Sequence, residues 1–236
     1  MRIFRECDIR GVYPEEVNEA LLFAVGNAIG ERWRTAGPFI VAHDVRCGSI
    51  DLNAALVAGI VDAGANVFDV GCVPTPVAYF ARRYYGAPVV AMITASHNPP
   101  EYNGLKLLTP NGPAGQEEIG WLRQELGVAR HRQAGGTRKY VDIWAEYIKL
   151  LGGFWDKWKP LDGEMLKPRV IIDPGGGAWS KKASRILNHF GVFCTALNDE
   201  PDGSFRARSS DCAAPGSLHR LSCAVQQYQA DAGLAW

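Results

Sequence analysis

The sequence predicts an α/β protein of two domains, each built on a mostly parallel sheet. Short apolar runs that end in polar loops alternate with longer segments in which apolar residues recur at helical spacing. This strand–loop–helix alternation is typical of parallel sheets whose strands are connected by helices. The alternation pauses at Gly152-Gly153 and resumes at Val170, which predicts two domains, residues 1–154 and 155–236.

The elements of the first domain follow from their periodicity. Segment 15–34 carries Leu22, Val25 and Ile29 on one face, which predicts an amphipathic helix. The apolar run 39–42 is short enough for a buried strand. The same criteria predict strands at 66–70, 88–93 and 105–108, and helices at 52–63, 77–85, 116–126 and 140–151.

The second domain repeats this pattern after a predicted linker that runs from the glycine pair at 152–153 to Pro168. Strands are predicted at 170–173 and 192–197, helices at 178–190 and 217–229, and a polar loop at 199–216. Residues 231–236 predict the opening of one more strand. Because helices are expected to cover a sheet edge, the second domain is expected to be incomplete at its C-terminus.

Composition and charge exclude several classes of function. Hydrophobic residues make up 47% and charged residues 21% of the chain, which is enough apolar content for packed cores. The net charge of zero argues against a nucleic-acid binder that works through bulk electrostatics. The N-terminus has no apolar signal core, and no stretch approaches the roughly 18 apolar residues of a membrane span. The six cysteines form no C-x-x-C pair and no zinc-site spacing, so a soluble cytoplasmic protein with reduced thiols is predicted.

The strongest functional signal is the run Thr94–Lys106, TASHNPPEYNGLK. It follows the apolar segment 88–93, so Ser96, His97 and Asn98 lie where a strand gives way to a loop stiffened by two prolines. Ligand-binding and catalytic groups of α/β proteins collect beyond the carboxyl ends of strands. Ser96 is therefore a candidate nucleophile or phosphate carrier, and His97 a candidate acid or base. The alternative is a serine that caps a helix or a turn.

Charged residues at three further positions are candidates for phosphate recognition. Arg10 stands beside a glycine near the N-terminus, where its forked guanidinium could bind a phosphate or a carboxylate. Asp44 could hold Arg46 in place beyond a predicted strand, and Ser49 could cap the following helix. Lys106 could offset the charge of a phosphoserine. The alternatives are a solvated surface arginine and a lysine at a strand edge.

Taken together, these motifs resemble the α-D-phosphohexomutases, and most closely the bacterial phosphomannomutase/phosphoglucomutase branch. The most specific match is Thr94–Lys106, which is similar to the phosphoserine loop of that family. The supporting motifs occur in family order and cover essentially the whole chain: Phe4-Arg5, Asp8–Val12, Asp44-Val45-Arg46, Pro74-Thr75-Pro76, Asp173-Pro174-Gly175 and Glu200–Gly203. The resemblance implies two three-layer α/β/α sandwich domains with mixed, mostly parallel sheets, the second one incomplete.

The resemblance also implies a reaction, the interconversion of hexose 1-phosphate and hexose 6-phosphate with mannose or glucose as the sugar. Ser96 would carry a phosphate, donate it to give a bound 1,6-bisphosphate, and take back the sugar's other phosphate. Mg²⁺ would bridge the Ser96 phosphate and three aspartates, and glucose 1,6-bisphosphate would act as activator. Six further residues have implied roles, His97, Lys106 and Arg10 at the transferring group, and Asn98, Asp44 and Arg46 in support of the loop.

The chain departs from the family pattern in three places. Cys7 stands where the family usually has tyrosine, and Arg206–Ala214 replaces the usual proline-rich run. The family's aspartate-rich metal loop would follow directly after a segment like 231–236. The metal-binding aspartates and domains III and IV of the complete enzyme are therefore expected to be absent from this chain. We expect negligible mutase activity from the 236-residue chain by itself.

Two other functions are compatible with the same residues. Phosphoglucosamine mutase would have a similar phosphoserine loop, and the residues that choose the sugar lie outside this chain. A non-catalytic remnant that binds sugar phosphates or a partner subunit would not need the metal loop. Retention of phosphate on Ser96 would separate a working enzyme from such a remnant.

Overall fold

The computed structural model describes residues 3–128, 133–158 and 168–236, and the chain forms two compact units. The first unit comprises the chain up to Ser96 together with 100–143, and the second comprises 97–99 together with 144–236. The predicted domain boundary near residue 154 falls inside a helix of the second unit.

The first unit contains one mixed sheet of seven strands. The strands are β1 (Asp8–Val12), β2 (Phe39–His43), β3 (Val67–Cys72), β4 (Val89–Ile93), β5 (Tyr102–Thr109), β6 (Gly112–Pro113) and β7 (Arg138–Tyr140). Their order is β1-β5-β4-β2-β3-β7, with β6 paired to β5. Strands β4, β2, β3 and β7 are parallel, whereas β5 is antiparallel to both β1 and β4. The predicted mixed, mostly parallel sheet is confirmed.

Helices cover both faces of this sheet. They are α1 (Glu19–Trp33), α2 (Ser49–Asp62), α3 (Thr75–Tyr85) and α4 (Gln116–Glu125). Apolar residues of α1, α2 and α4 share one core cluster with alternate residues of the central strands. On the other sheet face, Ile40, Val90 and Met92 are also buried, and α3 packs against β2 and β4. The first unit is therefore a three-layer sandwich.

The second unit contains a smaller parallel sheet in the order β10-β8-β9. Its elements are α5 (Trp144–Trp158), β8 (Arg169–Asp173), α6 (Ala183–His189), β9 (Phe193–Ala196), α7 (His219–Gln227) and β10 (Ala232–Ala235). Val170 and Ile172 belong to one apolar cluster, whereas Ile171 packs with Leu221 and Ala224 of α7 in another. Alternate residues of β8 are thus buried on opposite faces of the sheet.

Three predicted boundaries are wrong. Residues 152–158 of the predicted linker, including the glycine pair, lie inside α5, and residues 159–167 fall outside the described residues. The helix predicted at 140–151 starts only at Trp144, because residues 138–140 form β7. The helix predicted at 178–190 is shorter, and turns occupy 178–182.

None of the helices in the described part of the chain is long and apolar enough to cross a bilayer.

Candidate active site

Ser96 lies directly beyond the carboxyl end of β4, in a backbone conformation that L-residues rarely adopt. Its φ is 59°, in the left-handed region, and its amide donates to the Thr94 hydroxyl over 2.9 Å. Such a conformation costs about 1–3 kcal/mol at a non-glycine residue and persists only where neighbouring groups hold it. Ser96 itself is exposed. Its hydroxyl is therefore carried on a strained, anchored turn at the edge where parallel strands end.

The group that anchors this turn is the buried guanidinium of Arg46. Its Nη2 donates to the Ser96 carbonyl over 2.8 Å and its Nη1 to the Tyr102 carbonyl over 3.0 Å. Arg46 is only 3% exposed, and this burial lowers the pKa of its guanidinium, while the nearby carboxylate of Asp44 raises it. The charge of Arg10 adds to the lowering. Because an arginine stays protonated in proteins, a buried cation joins both ends of the loop.

Asp44 holds Arg46 from the loop that follows β2. Its Oδ1 accepts from the Arg46 amide over 3.0 Å, and its Oδ2 lies 3.3 Å from Arg46 Nε. The Ser49 hydroxyl donates to the same Oδ1 over 2.7 Å. The expectation that Ser49 caps α2 is wrong: Gly48, with φ 75°, occupies the N-cap position, and Ser49 is the first helical residue. Its hydroxyl is used by Asp44 and not by a helix N–H group.

Asn103 is a site residue that the sequence analysis missed. It is completely buried in β5, and its Nδ2 donates to the Cys47 carbonyl over 3.0 Å and to Ser49 Oγ over 2.9 Å. Its Oδ1 accepts from the Gly104 amide over 2.8 Å. Asn103 lies within the run Thr94–Lys106, but nothing in the sequence shows that its amide is buried, where a polar group must find partners.

Arg10 and Lys106 lie on the same face of two paired strands. In the antiparallel pairing of β1 with β5, Asp8 is opposite Lys106 and Arg10 is opposite Gly104. Directly opposite residues place their side chains on one face. The buried carboxylate of Asp8 pairs with Arg10, whereas Lys106 forms no ion pair within the described part of the chain. The sheet thus presents two cations next to each other, one of them held by a carboxylate.

His97 and Asn98 belong to the second unit. Their carbonyl oxygens accept from the hydroxyl of Ser210, over 3.1 Å and 2.8 Å respectively. Ser210 lies in the 206–214 stretch, where the sequence departs from the family's proline-rich run. The structure therefore brings Ser96, Asp44 and Arg46 together in the first unit, and the roles of His97 and Asn98 stay predictions.

Comparisons with known proteins agree with this geometry. Residues 1–126 match the family model described as phosphoglucomutase/phosphomannomutase, alpha/beta/alpha domain I. The chain belongs to the phosphoglucomutase/phosphomannomutase family. The resemblance inferred from the motifs is confirmed.

The similarity to individual relatives extends over nearly the whole chain. A phosphomannomutase/phosphoglucomutase from Pseudomonas aeruginosa is 34% identical over 237 residues, which cover 99% of this chain and 50% of the relative. A probable phosphoglucosamine mutase from Methanothermobacter thermautotrophicus is 34% identical over 239 residues, covering 99% and 51%. The solved structure of a phosphoglucomutase/phosphomannomutase family protein from Burkholderia thailandensis has a TM-score of 0.87 at 29% identity, covering 98% and 51%. The chain spans about half the length of the curated relatives it matches.

Membership of the phosphoglucomutase/phosphomannomutase family implies a metal cofactor, but the described residues do not fit one on their own. Nowhere in residues 3–128, 133–158 and 168–236 do three His, Cys, Asp or Glu side chains converge into a possible metal site. The carboxylate of Asp44, which holds the arginine that anchors the serine turn, is already taken up by Ser49 and Arg46. What these residues can do is position a serine and its neighbouring cations.

Proposed function

We propose that this chain carries the phosphoserine of a phosphohexomutase that interconverts hexose 1-phosphate and hexose 6-phosphate, with mannose or glucose as the sugar. The observation that supports this most strongly is the exposed turn at Ser96, strained at φ 59° and tied by its carbonyl to the buried Arg46. A phosphate carrier needs an accessible hydroxyl in a fixed position, and phosphoryl transfer depends mainly on positioning and charge stabilisation.

The proposed reaction consists of two transfers through one serine. In the first, the Oγ–P bond of phospho-Ser96 breaks and a bond forms from phosphorus to the free hydroxyl of the sugar monophosphate, whose proton leaves to a base. The resulting 1,6-bisphosphate turns over, and the Ser96 hydroxyl gives up its proton as its Oγ bonds to the other phosphorus. The bond from that phosphorus to the sugar oxygen breaks, and the sugar oxygen takes a proton. Arg10 and Lys106 are proposed to offset the charge of the transferring group, and His97 to move the proton. Asp44, Arg46 and Asn98 are proposed to support the loop.

The remaining components are also proposals. Mg²⁺ as metal and glucose 1,6-bisphosphate as activator follow from the family. Among the described residues, the only ligand proposed for the metal is the phosphate carried by Ser96. The aspartate-rich loop that the family has directly after a segment like 231–236 would supply the rest of the metal site, and domains III and IV of the complete enzyme would supply the sugar contacts. All six cysteines are free, which supports a cytoplasmic location.

Phosphoglucosamine mutase is the second candidate function. The observation that favours it is the identity of 34% to the Methanothermobacter relative, equal to the identity with the Pseudomonas relative. Because the first-unit residues described above contact phosphate and not the sugar ring in this proposal, they are compatible with either sugar.

The test is to determine whether Ser96 accepts phosphate. The purified chain is incubated with glucose 1,6-bisphosphate, with and without Mg²⁺, and the modified residue is located by peptide mass spectrometry. We expect phosphate on Ser96, none in Ser96→Ala, and unchanged labelling in the control Ser222→Ala, whose serine is exposed on α7. A folded chain that takes up no phosphate, or takes it up on another residue, would overturn the proposal in favour of a non-catalytic sugar-phosphate-binding or partner-binding protein.

A further inference from the structure

We propose that Asn103 is a positioning residue for Ser96, and that it acts through a series of hydrogen bonds and one ion pair that runs over Ser49, Asp44 and Arg46. Its significance for catalysis rests on the proposed function of Ser96. Its effect on the geometry of the Ser96 turn does not, and the two can be tested separately.

The orientation of the Asn103 amide is determined by its partners. Its oxygen accepts from the Gly104 N–H, so its NH₂ group must face the Cys47 carbonyl and the hydroxyl of Ser49. A flipped amide would place an oxygen against the Cys47 carbonyl and an NH₂ group against an N–H donor. Complete burial leaves no water to relieve such a mismatch. Asn103 therefore presents a donor, and only a donor, to Ser49.

This donor determines where the proton of Ser49 goes. A serine hydroxyl has one proton, and because Ser49 Oγ accepts from Asn103, that proton remains available for Asp44 Oδ1 at 2.7 Å. A hydrogen bond to an ionised carboxylate is stronger than a neutral one, so the position of the Asp44 carboxylate is well defined. Ser49 thus transmits the orientation of a buried amide in β5 to a carboxylate in the loop after β2.

The Asp44 carboxylate in turn orients the guanidinium that holds the serine turn. Its Oδ1 also accepts from the Arg46 amide, while Oδ2 faces Arg46 Nε at 3.3 Å. The two Nη atoms then reach the carbonyls of Ser96 and Tyr102. If the carboxylate shifts, the planar guanidinium rotates with it and the Ser96 carbonyl loses its donor.

The experiment uses the amide groups of Arg46 and Ser96 as reporters, since each donates to a side-chain oxygen of the site. In Asn103→Ala, hydrogen exchange at both amides should accelerate about tenfold, the effect of losing one ordinary hydrogen bond. The matched control is Asn53→Ala, which removes a similarly buried amide that donates to Asp69 in the same unit. That variant should leave both reporters unchanged.

A second pair of variants separates positioning from general destabilisation. Asn103→Asp keeps the side-chain size but offers an acceptor to Ser49, so it should disturb the Arg46 and Ser96 amide resonances as Asn103→Ala does. Lowering the pH protonates the introduced carboxyl and restores a donor, so the resonances of Asn103→Asp should return towards wild type while those of Asn103→Ala do not. If Asn103→Ala fails to fold, Ser49→Ala removes the hydroxyl that links Asn103 to Asp44. It should accelerate exchange at the Arg46 and Ser96 amides in the same way.

The outcomes distinguish this proposal from the proposed function. If the folded Asn103 and Ser49 variants leave both amides unchanged, the positioning role is refuted, whatever Ser96 does. If the amides respond but wild-type Ser96 accepts no phosphate, the positioning role stands and the phosphoserine proposal falls. If both hold, Asn103→Ala should lower the maximal rate of phosphate uptake by about tenfold with little change in KM, because Asn103 does not contact the sugar phosphate.

Discussion

Replacement of Gly104 by alanine tests the alignment of the two strands that carry Arg10 and Lys106. A Cβ on Gly104 would lie 2.0 Å from the Ile9 carbonyl oxygen and 3.1 Å from the Cα of Arg10. Both are backbone atoms, so no side-chain rotation can make room. Since real Cβ contacts essentially never fall below 3.0 Å, β1 and β5 would have to move apart by about 1 Å at this point.

The energetic cost of Gly104→Ala follows from this displacement. Overpacking a well-packed core typically costs about 1–3 kcal/mol when side chains can adjust. Here the strain falls on the backbone pairing of β1 with β5 from Asp8 to Val12. We therefore expect Gly104→Ala to lower the free energy of unfolding by about 3 kcal/mol, at the upper end of that range. Arg10 would shift relative to Lys106. If both stabilise the transferring phosphate as proposed, a displacement of about 1 Å can cost about 100-fold in rate. Phosphate uptake by Ser96 should therefore fall by up to that factor.

The assay is urea unfolding of the full chain, with hydrogen exchange used to follow β1 and β5 separately from the second unit. The control is Gly120→Ala in α4, where a Cβ meets nothing within 4 Å. Alanine is the better helix former by about 1 kcal/mol, so this variant should be slightly stabilised. A Gly104→Ala protein within 1 kcal/mol of wild type, with unchanged exchange in β1, would refute the steric argument.

Two further predictions concern charge. Asp44→Ala should destabilise the first unit by about 3–5 kcal/mol in urea unfolding, because it leaves Arg46 buried without a carboxylate; the double variant with Arg46→Met should be more stable than Asp44→Ala alone. The hydrogen bond from Tyr13 to Glu19 raises the pKa of the phenol from 10.0 to about 12. Because folding raises this pKa, the contribution of the Tyr13–Glu19 hydrogen bond to the free energy of unfolding is complete below pH 10 and is lost as the pH rises through about 12. Tyr13→Phe should flatten that part of the pH–stability curve, and an unchanged curve would contradict the prediction.

The strands that the sequence predicted well are those buried on both faces. Runs such as 39–42 and 88–93 are apolar throughout because helices cover the sheet on both sides, and the structure confirms both. β7 was missed because Arg138-Lys139-Tyr140 has no apolar alternation. It pairs in parallel with β3, and the guanidinium of Arg138 also donates to the buried Asp69. Periodicity cannot reveal an edge strand whose three residues are all exposed.

The glycine pair in α5 shows a second limit of local signals. Two glycines cost a helix about 2 kcal/mol relative to alanine, which favours a break when the segment is considered by itself. In the structure, Trp155 of the same helix stacks on Phe190 with ring centroids 5.7 Å apart. Tertiary packing of this kind offsets the local cost. The predicted linker at 152–153 was wrong because the partner ring lies far along the chain.

The same distinction applies to the site. The motif around Ser96 and the Asp44-x-Arg46 spacing are visible in the sequence, and the structure brings them together. The partners of Ser49 are not visible, because a serine at the start of a helix is most often a cap. Asn103 lies 54 residues away in the chain, and only the folded sheet places its amide against that hydroxyl.

The strain at Ser96 and the burial of Arg46 support each other. A left-handed serine would relax to an ordinary conformation if its carbonyl were free to turn, and that carbonyl is held by the Nη2 of Arg46. If the Ser96 carbonyl turned away, the buried guanidinium of Arg46 would lose one of its acceptors. That loss is costly because water cannot replace the lost partner in the interior. The same guanidinium holds Tyr102 at the start of β5, so both ends of the loop would have to move together. The turn is therefore held in place by the protein's own groups, as the proposed phosphoryl transfer, which depends mainly on positioning, would require.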